Sequence, residues 1–390
     1  MPDNTTPDAQ RDCNTHAGSA LRGARRLVIK IGSALLVDPA SGQLNRQWLE
    51  SLAQDIAWLR GNDCQVIVVS SGAIALGRRY LSLSRRVLRL DESQAAAAAG
   101  QVRLAHAFQE VLDNEQLHVA QILLTLEDTE RRPRYLNARN TMNTLLGMGV
   151  VPVVNENDTV ATSEIRYGDN DRLAARVAQM AGADCLVLLS DIDGLYTGDP
   201  STTANAKPIP LVERITSDIK ALAGDTRSDY GTGGMATKVA AADIAAAAGC
   251  TTIIASGRAA NPVRAVSDGT RCTLFASRGT PVRARKQWIA ASLHTPGRLI
   301  VDAGAAAALA AGKSLLPAGV QQVEGDFSAG DTVMIVDTEG TTIGRGLCAY
   351  SRGDAARIAG RHSDSIAEVL GFLGREEMIH RDDLVLADTP

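Results

Sequence analysis

Aromatic side chains are scarce in this chain: Phe, Tyr and Trp make up 3% of its 390 residues. A protein that holds single-stranded nucleic acid by stacking bases on rings uses more of them. Positive charge is not in excess either. The 40 Lys and Arg stand against 44 Asp and Glu, a formal net charge of −4, so no global basic field points to nucleic acid. The six cysteines are scattered, with no C-x-x-C pair. Neither a disulfide framework nor a zinc site is readable, and a reducing cytoplasm is the simplest setting. No apolar run reaches membrane-spanning length, and residues 1–24 lack the apolar centre of a signal peptide. That tail, rich in Asp, Asn, Thr and Arg, reads as a disordered extension. The P-loop pattern GxxxxGK[ST] is also missing: Gly312-Lys313-Ser314 matches its end, but Ala307 stands where its first glycine belongs.

What is present begins with short apolar runs separated by stretches of helical length. Leu27–Ile31, Val66–Val69, Val119–Leu124, Val150–Val154, Leu186–Leu189 and Thr251–Ala255 are continuous and rich in β-branched residues. Continuous rather than alternating runs mark strands buried on both faces. Between them, residues around 46–60, 94–112, 137–147, 170–181 and 236–248 have the length and alanine content of helices. Such alternation predicts an α/β fold, a mostly parallel sheet sandwiched by helices, over residues 25–285. Near 280 the pattern changes. Pro281 to Trp288 reads as a basic connector, followed by short elements at Leu299–Val301, Val333–Val336, Thr341–Ile343 and Leu347–Tyr350. Thr338-Glu339-Gly340 reads as a hairpin turn. A small β-rich domain is expected at 296–380. Glu127–Asn140, dense in arginine, reads either as a mobile or interfacial loop or as a solvated charged turn.

Polar and glycine clusters fall at the C-terminal ends of the predicted strands, where open α/β sheets bind ligands. The first strand ends Lys30-Ile31-Gly32-Ser33, and the second Ser70-Ser71-Gly72-Ala73. The fourth runs into Asn155-Glu156-Asn157-Asp158, with Tyr167-Gly168-Asp169-Asn170-Asp171 beyond it. The fifth ends Ser190-Asp191 and continues through Asp193-Gly194-Leu195-Tyr196-Thr197-Gly198-Asp199-Pro200. Most telling is Gly231-Thr232-Gly233-Gly234-Met235-Ala236-Thr237-Lys238, a glycine-dense loop that ends in lysine and opens an alanine-rich helix. Glycines let backbone N–H groups close on an anion, and a helix N-terminus adds its positive dipole end. The segment is not a dinucleotide fingerprint, because no predicted strand directly precedes it. Singly, a strand lysine is usually salt-bridged and Asn/Asp/Gly clusters are usually turns; their coincidence at one sheet edge makes the functional reading.

The order K-I-G-S, V-S-S-G-A-I-A-L-G, N-E-N-D, G-D-N-D, G-L-Y-T-x-D-P, G-T-G-G-M-A-T-K resembles the amino-acid kinase superfamily and, within it, the glutamate 5-kinase family. The G-L-Y-T-x-D-P element is widely shared; the N-E-N-D, G-D-N-D and glycine-loop elements are more specific. The resemblance covers about residues 25–380, because the C-terminal part is similar to a PUA domain. It implies transfer of the γ-phosphoryl group of ATP, with Mg²⁺, onto the γ-carboxylate of glutamate, the first step of proline synthesis. Such a carboxylate, with a pKa near ~4.3, is already ionised and needs no general base; none of the six histidines lies in the clusters. The difficulty is bringing an anion to a polyanion, where one positive charge at ~4 Å is worth a few kcal/mol at a dielectric of ~20.

By the same resemblance, Lys30 and Lys238 contact the transferring phosphoryl group, and Asp171 holds both lysines. Gly32, Gly72, Gly233 and Gly234 bring amides to phosphate. Ser190, Asp191, Thr232, Met235, Ala236 and Thr237 belong to the ATP site, and Ser71, Asp158 and Asn170 to glutamate. No protein ligand to Mg²⁺ is assigned. The resemblance further implies feedback inhibition by proline, a homo-oligomer and hand-over of the labile product to glutamyl phosphate reductase. The rival readings are another superfamily kinase, acting on N-acetylglutamate, aspartate, carbamate or UMP, and an RNA-binding protein with a vestigial kinase domain, since PUA domains often bind RNA. The specific motifs weigh against the first and the retained lysines against the second.

Overall fold

The computed structural model describes residues 7–38, 41–83, 87–161, 170–224, 234–290 and 295–387. It divides into two compact units, Met1–Glu130 with Asn137–Pro281, and Arg131–Leu136 with Val282–Pro390. From the N-terminus the chain forms α1 (Pro7–Gly23), β1 (Arg26–Ile31), α2 (Ser33–Leu36), α3 (Arg46–Gly61), β2 (Gln65–Val69), α4 (Ala73–Tyr80), α5 (Leu90–Asn114), β3 (Val119–Leu124), α6 (Leu126–Glu130), α7 (Arg132–Gly147) and β4 (Val151–Glu156). It continues with α8 (Asn170–Ala181), β5 (Cys185–Ser190), β6 (Leu195–Tyr196), β7 (Pro208–Ile209), β8 (Leu211–Val212), α9 (Ser217–Leu222), α10 (Met235–Ala247), β9 (Thr251–Ser256), α11 (Pro262–Ser267), β10 (Cys272–Phe275) and α12 (Pro281–Ala290).

Eight of these strands make one sheet in the order β3-β4-β2-β1-β5-β9-β10-β8. The first six positions run parallel, and β10 turns antiparallel against β9. Side chains alternate across a strand, so Leu27, Ile29 and Ile31 of β1 face one way and Val28 and Lys30 the other. The first face joins a core with Trp48, Leu52 and Ile56 of α3, Leu104 and Phe108 of α5, and Val263 of α11. The second lies toward α8 and α10, since α8 packs on β1, β2, β4 and β5 and α10 packs on α8 and β9. Both helices bury alanines at helical spacing, Ala174, Ala175 and Ala178 in α8 and Ala241, Ala242 and Ala245 in α10. Small side chains there let two helix backbones approach each other and the sheet.

The crossing of α4 and α5 is closer still. A Cβ at Gly100 would meet the Ala73 carbonyl oxygen at 1.7 Å, and one at Gly77 would meet that of Ala96 at 1.7 Å. Only glycine fits either place, and this contact sets the height of α5 over the sheet.

Three sequence expectations are corrected in these elements. The tail expected to be disordered forms α1 from Pro7 onward: Ala17, Leu21 and Ala24 are buried, and Arg22 Nη1 donates to Ser267 O at 2.9 Å. Its apolar stripe is narrow, which hid it among polar residues. Glu127–Asn140 is neither loop nor turn but lies in α6 and α7, with Arg139 buried. The expected connector from Pro281 is helix α12, as proline suits a first helical position.

The second unit adds β11 (Gly297–Val301), α13 (Ala303–Ala310), β12 (Val320–Gly325), β13 (Thr332–Val336), β14 (Thr342–Leu347), α14 (Arg352–Ile358), α15 (Ile366–Leu370) and β15 (Leu384–Leu386). The strands pair in the order β12-β11-β13-β14-β15 around Leu299, Val301, Val333, Ile335 and Leu384. The predicted turn joins β13 to β14, where Asp337 Oδ1 accepts from the N–H groups of Glu339 and Thr341 and Gly340 has φ 86°. No strand forms at Leu347–Tyr350 apart from Leu347, the last residue of β14. The sheet also reaches Leu386, beyond the expected end at 380. Arg132 belongs here, donating to Gly330 O at 2.7 Å and Thr332 Oγ1 at 3.0 Å beside Asp331.

Candidate active site

Because β1, β2, β4, β5 and β9 run parallel, their carboxyl ends share one edge of the sheet. At that edge Lys30 lies level with Val69 of β2 and Leu188 of β5, on the face covered by α8 and α10. Its ammonium does not reach out to water: the residue is 5% exposed. A charge placed there needs a partner. The partner is Asp171, the second residue of α8, fully buried, with Oδ1 2.5 Å from Lys30 Nζ. Lys238, in the first turn of α10 and on the same buried stripe as Ala241 and Ala245, brings its Nζ to 3.2 Å from Asp171 Oδ2. Thr237 Oγ1 stands 2.9 Å from that same oxygen and 2.8 Å from the carbonyl of Gly234.

One carboxylate thus bridges two lysines that are 208 positions apart in sequence. Burial drives the Asp171 pKa upward. The adjacent Lys30 and Lys238 charges, with hydrogen bonds from Lys30 and Thr237, outweigh that and hold it below the usual carboxylate value. Asp171 is therefore a fixed anion at neutral pH, with the geometry of a strut between two ammonium groups and no sign of a proton acceptor.

Beside this trio, Gly234 caps α10 with no side-chain hydrogen bond to the first turn. The first-turn N–H groups of that helix make a seat for phosphate. Met235, Ala236 and Thr237 form that turn. Thr232 and Gly233, together with Gly231, lie outside the described residues, as do Tyr167, Gly168 and Asp169. Ser190 ends β5 next to β1 and donates from its hydroxyl to Asp191 Oδ1 at 3.0 Å, with Asp191 exposed. Gly32 follows β1 and starts α2, and Gly72, at φ 94°, starts α4 in a left-handed conformation that suits glycine.

Asn170, first in α8, donates to the carbonyl of Ser70 and to Asn155 Oδ1, the latter at 2.8 Å. This brings Asn170 beside the Ser70-Ser71 turn, so two of the three expected glutamate residues adjoin each other. The third, Asp158, lines a cavity of ≈ 250 Å³ with Gln101, Gln121, Leu123, Glu156 and Asn157. One amide in this region, that of Gln101, belongs to none of the motifs. Asn155 Nδ2 donates to Gln101 Oε1 at 2.7 Å, tying α5 to β4. A lone glutamine in an alanine-rich helix gives no sequence signal, and Gln101 escaped notice.

Among the described residues, no group of three or more His, Cys, Asp or Glu side chains is arranged to hold a metal ion. No described helix is long and apolar enough to cross a membrane.

Both parts of the chain match known families. The amino acid kinase family matches residues 25–256, and the PUA domain family matches residues 297–370. A glutamate 5-kinase of Paramagnetospirillum magneticum is 57% identical over 368 residues, covering 94% of this chain and 99% of that one. Glutamate 5-kinase 1 of Mesorhizobium japonicum is 59% identical over 368 residues, 94% of this chain and 97% of its own. Among solved structures, carbamate kinase from Giardia lamblia bound to AMP-PNP aligns with 66% of this chain and 99% of its own, at 19% identity and a TM-score of 0.48.

Proposed function

The chain belongs to the amino acid kinase family and, within it, to the glutamate 5-kinases, and from that premise we propose how its residues perform ATP-dependent phosphorylation of the γ-carboxylate of glutamate. The observation that carries the reading is the buried Lys30–Asp171–Lys238 bridge at the carboxyl edge of the sheet. The acceptor carboxylate is already a nucleophile at neutral pH, so catalysis consists of positioning and of neutralising charge. Lys30 and Lys238 approach the transferring phosphoryl group from two elements, β1 and α10. They meet the negative charge that spreads over its oxygens as the bond to the leaving group loosens. Asp171 fixes both ammonium groups before substrate arrives, so little reorganisation is needed during transfer.

ATP phosphates suit the first turn of α10, where Gly234 leaves N–H groups for an anion. Ser190, Asp191 and Gly32 border that space from β5 and β1, and the Thr232 to Lys238 segment wraps the phosphates. Mg²⁺ is assigned to ATP oxygens and water, supplying charge neutralisation at the phosphates; this suits an ion that keeps much of its hydration and takes few protein ligands. Glutamate is placed by Ser71, Asn170 and Asp158, the last opposite its α-ammonium group. Inhibition by proline follows from a ligand with the same α-carboxylate and a similar ammonium occupying the glutamate side of the site. A cytoplasmic homo-oligomer that hands its labile acyl phosphate to a reductase, with the second unit in a structural or regulatory role, completes the reading.

The test is ATP turnover with Mg²⁺ against glutamate, N-acetylglutamate, aspartate and UMP, with hydroxylamine trapping any acyl phosphate. Hydroxamate formed with glutamate, and suppressed by proline, is the expected result. Silence with glutamate and activity with another acceptor would overturn the substrate assignment while keeping the lysine bridge.

A further inference from the structure

Asp171 does not hold its two lysines alike. Lys30 Nζ lies 2.5 Å from Oδ1, whereas Lys238 Nζ lies 3.2 Å from Oδ2. The more distant amine shares its oxygen: Thr237 Oγ1 stands 2.9 Å from the same Oδ2. That hydroxyl also lies 2.8 Å from the carbonyl of Gly234. Carboxylate and carbonyl oxygens only accept, and a hydroxyl has one proton to give. The anion is the stronger acceptor, so the proton goes to Asp171. Among the described residues the Gly234 carbonyl is then left with the N–H of Lys238, at a long 3.4 Å. Thr237 is half-buried, and Asp171 and Lys238 are buried, so most solvent is kept from this contact.

From this arrangement we infer that Thr237 is a positioning residue: its hydroxyl takes up part of the pull of Asp171 Oδ2, so that Lys238 is aligned yet free to pass to the phosphoryl group, while Lys30 stays fixed. The inference rests on the kinase reading above and gives Thr237 a duty other than touching nucleotide. A lysine bound at full strength to a buried carboxylate keeps its charge from the phosphate. One bound to an oxygen that already accepts a hydrogen bond gives it up more readily. Thr237 and Lys238 are consecutive in the first turn of α10, so hydroxyl and amine move with one stretch of backbone. Lys30 has no such neighbour on its own strand. It is flanked by Ile29 and Ile31, which are apolar and join the core on the opposite face of the sheet. The pairing of a fixed amine with a movable one is thereby written into the residues beside each lysine.

The test is a double-mutant cycle on the full chain, with kcat and the KM values for ATP and glutamate read by the hydroxamate assay. Thr237→Val, close in shape, and Thr237→Ala remove the hydroxyl in two different packings. Each should lower kcat about tenfold, the scale of a lost hydrogen bond to a charged group, and change the KM for ATP less than about threefold. Thr237→Ser keeps the hydroxyl and should hold kcat within about threefold of wild type. In a Lys238→Ala background the Val and Ala substitutions should change kcat less than about threefold, because the amine they act through is gone. A similar loss with and without the Lys238 amine, a loss confined to the KM for ATP, or no loss at all would overturn the inference alone. A wild-type chain silent toward glutamate would overturn the kinase reading and this inference together.

Discussion

Replacing Asp171 by Asn keeps the shape of the side chain and removes the charge between two buried lysines. Asp171 is fully buried, with its oxygens 2.5 Å from Lys30 Nζ and 3.2 Å from Lys238 Nζ. At an effective dielectric of ~20, each pair is worth roughly 5–7 kcal/mol of Coulomb attraction. Desolvation of the three groups cancels much of that sum, and removing one partner of a buried pair costs about 3–5 kcal/mol. The variant should lose stability by that amount at pH 7, with one lysine either giving up its proton or standing as a buried charge. The pH dependence has a definite sign. The folded pKa of Asp171 lies below its ordinary value of 3.8, so its contribution is complete above that value and is lost as pH falls through the lower folded one. The gap between wild type and D171N, read from urea titrations, should therefore hold from pH 7 to 5 and narrow below pH ~4. In the hydroxamate assay kcat should fall ~100-fold or more, because the lysines lose their common support. A variant within ~0.5 kcal/mol of wild type at pH 7, or a gap that ignores acid, would refute the reasoning.

Lys238→Ala should lower turnover by ~100-fold or more with the fold kept, as expected for a group that meets transition-state charge; near-normal kcat would remove its assigned role. Asp158→Ala should raise the KM for glutamate far more than that for ATP, and equal effects on both would take Asp158 out of the glutamate site. Gly100→Ala forces a Cβ to within 1.7 Å of the Ala73 carbonyl oxygen, so the urea midpoint should drop by the equivalent of about 1–3 kcal/mol; an unchanged midpoint would mean α4 and α5 are not in backbone contact. Leu21→Ala, at a residue 1% exposed in α1, should cost about 2–5 kcal/mol, whereas an unstructured tail would leave the melting temperature where it was.

Of the six long parallel strands of the first unit, β1, β2, β4, β5 and β9 were legible because they are buried on both faces and so read as unbroken apolar runs; the edge strand β3 is only half-buried. The lysines and Asp171 were legible only as members of motifs; Lys30 by itself looks like any strand lysine. What brings it to Asp171 is the packing of α8 across β1, which no local pattern encodes. In α1 the buried Ala17 and Leu21 sit four apart, with Ala24 just past the helix end, a stripe too thin to stand out from its polar neighbours. In β12 the buried Val320 and Val323 are three apart, and the pairing with β11 shifts register at Ile300/Val301, so the period of two that marks a strand is broken. Gln101 was invisible for a different reason. Which end of its amide faces Asn155 is fixed by the backbone N–H of Glu156 on β4, far from α5 in sequence.

The most direct test of the lysine bridge is a crystal structure of the chain with glutamate, Mg²⁺ and a non-hydrolysable ATP analogue. Lys30 Nζ and Lys238 Nζ should each lie within about 3 Å of an oxygen of the terminal phosphate, with Asp171 between them and touching neither phosphate nor acceptor. A terminal phosphate out of reach of both amines, or an Asp171 carboxylate turned toward the acceptor, would contradict the account.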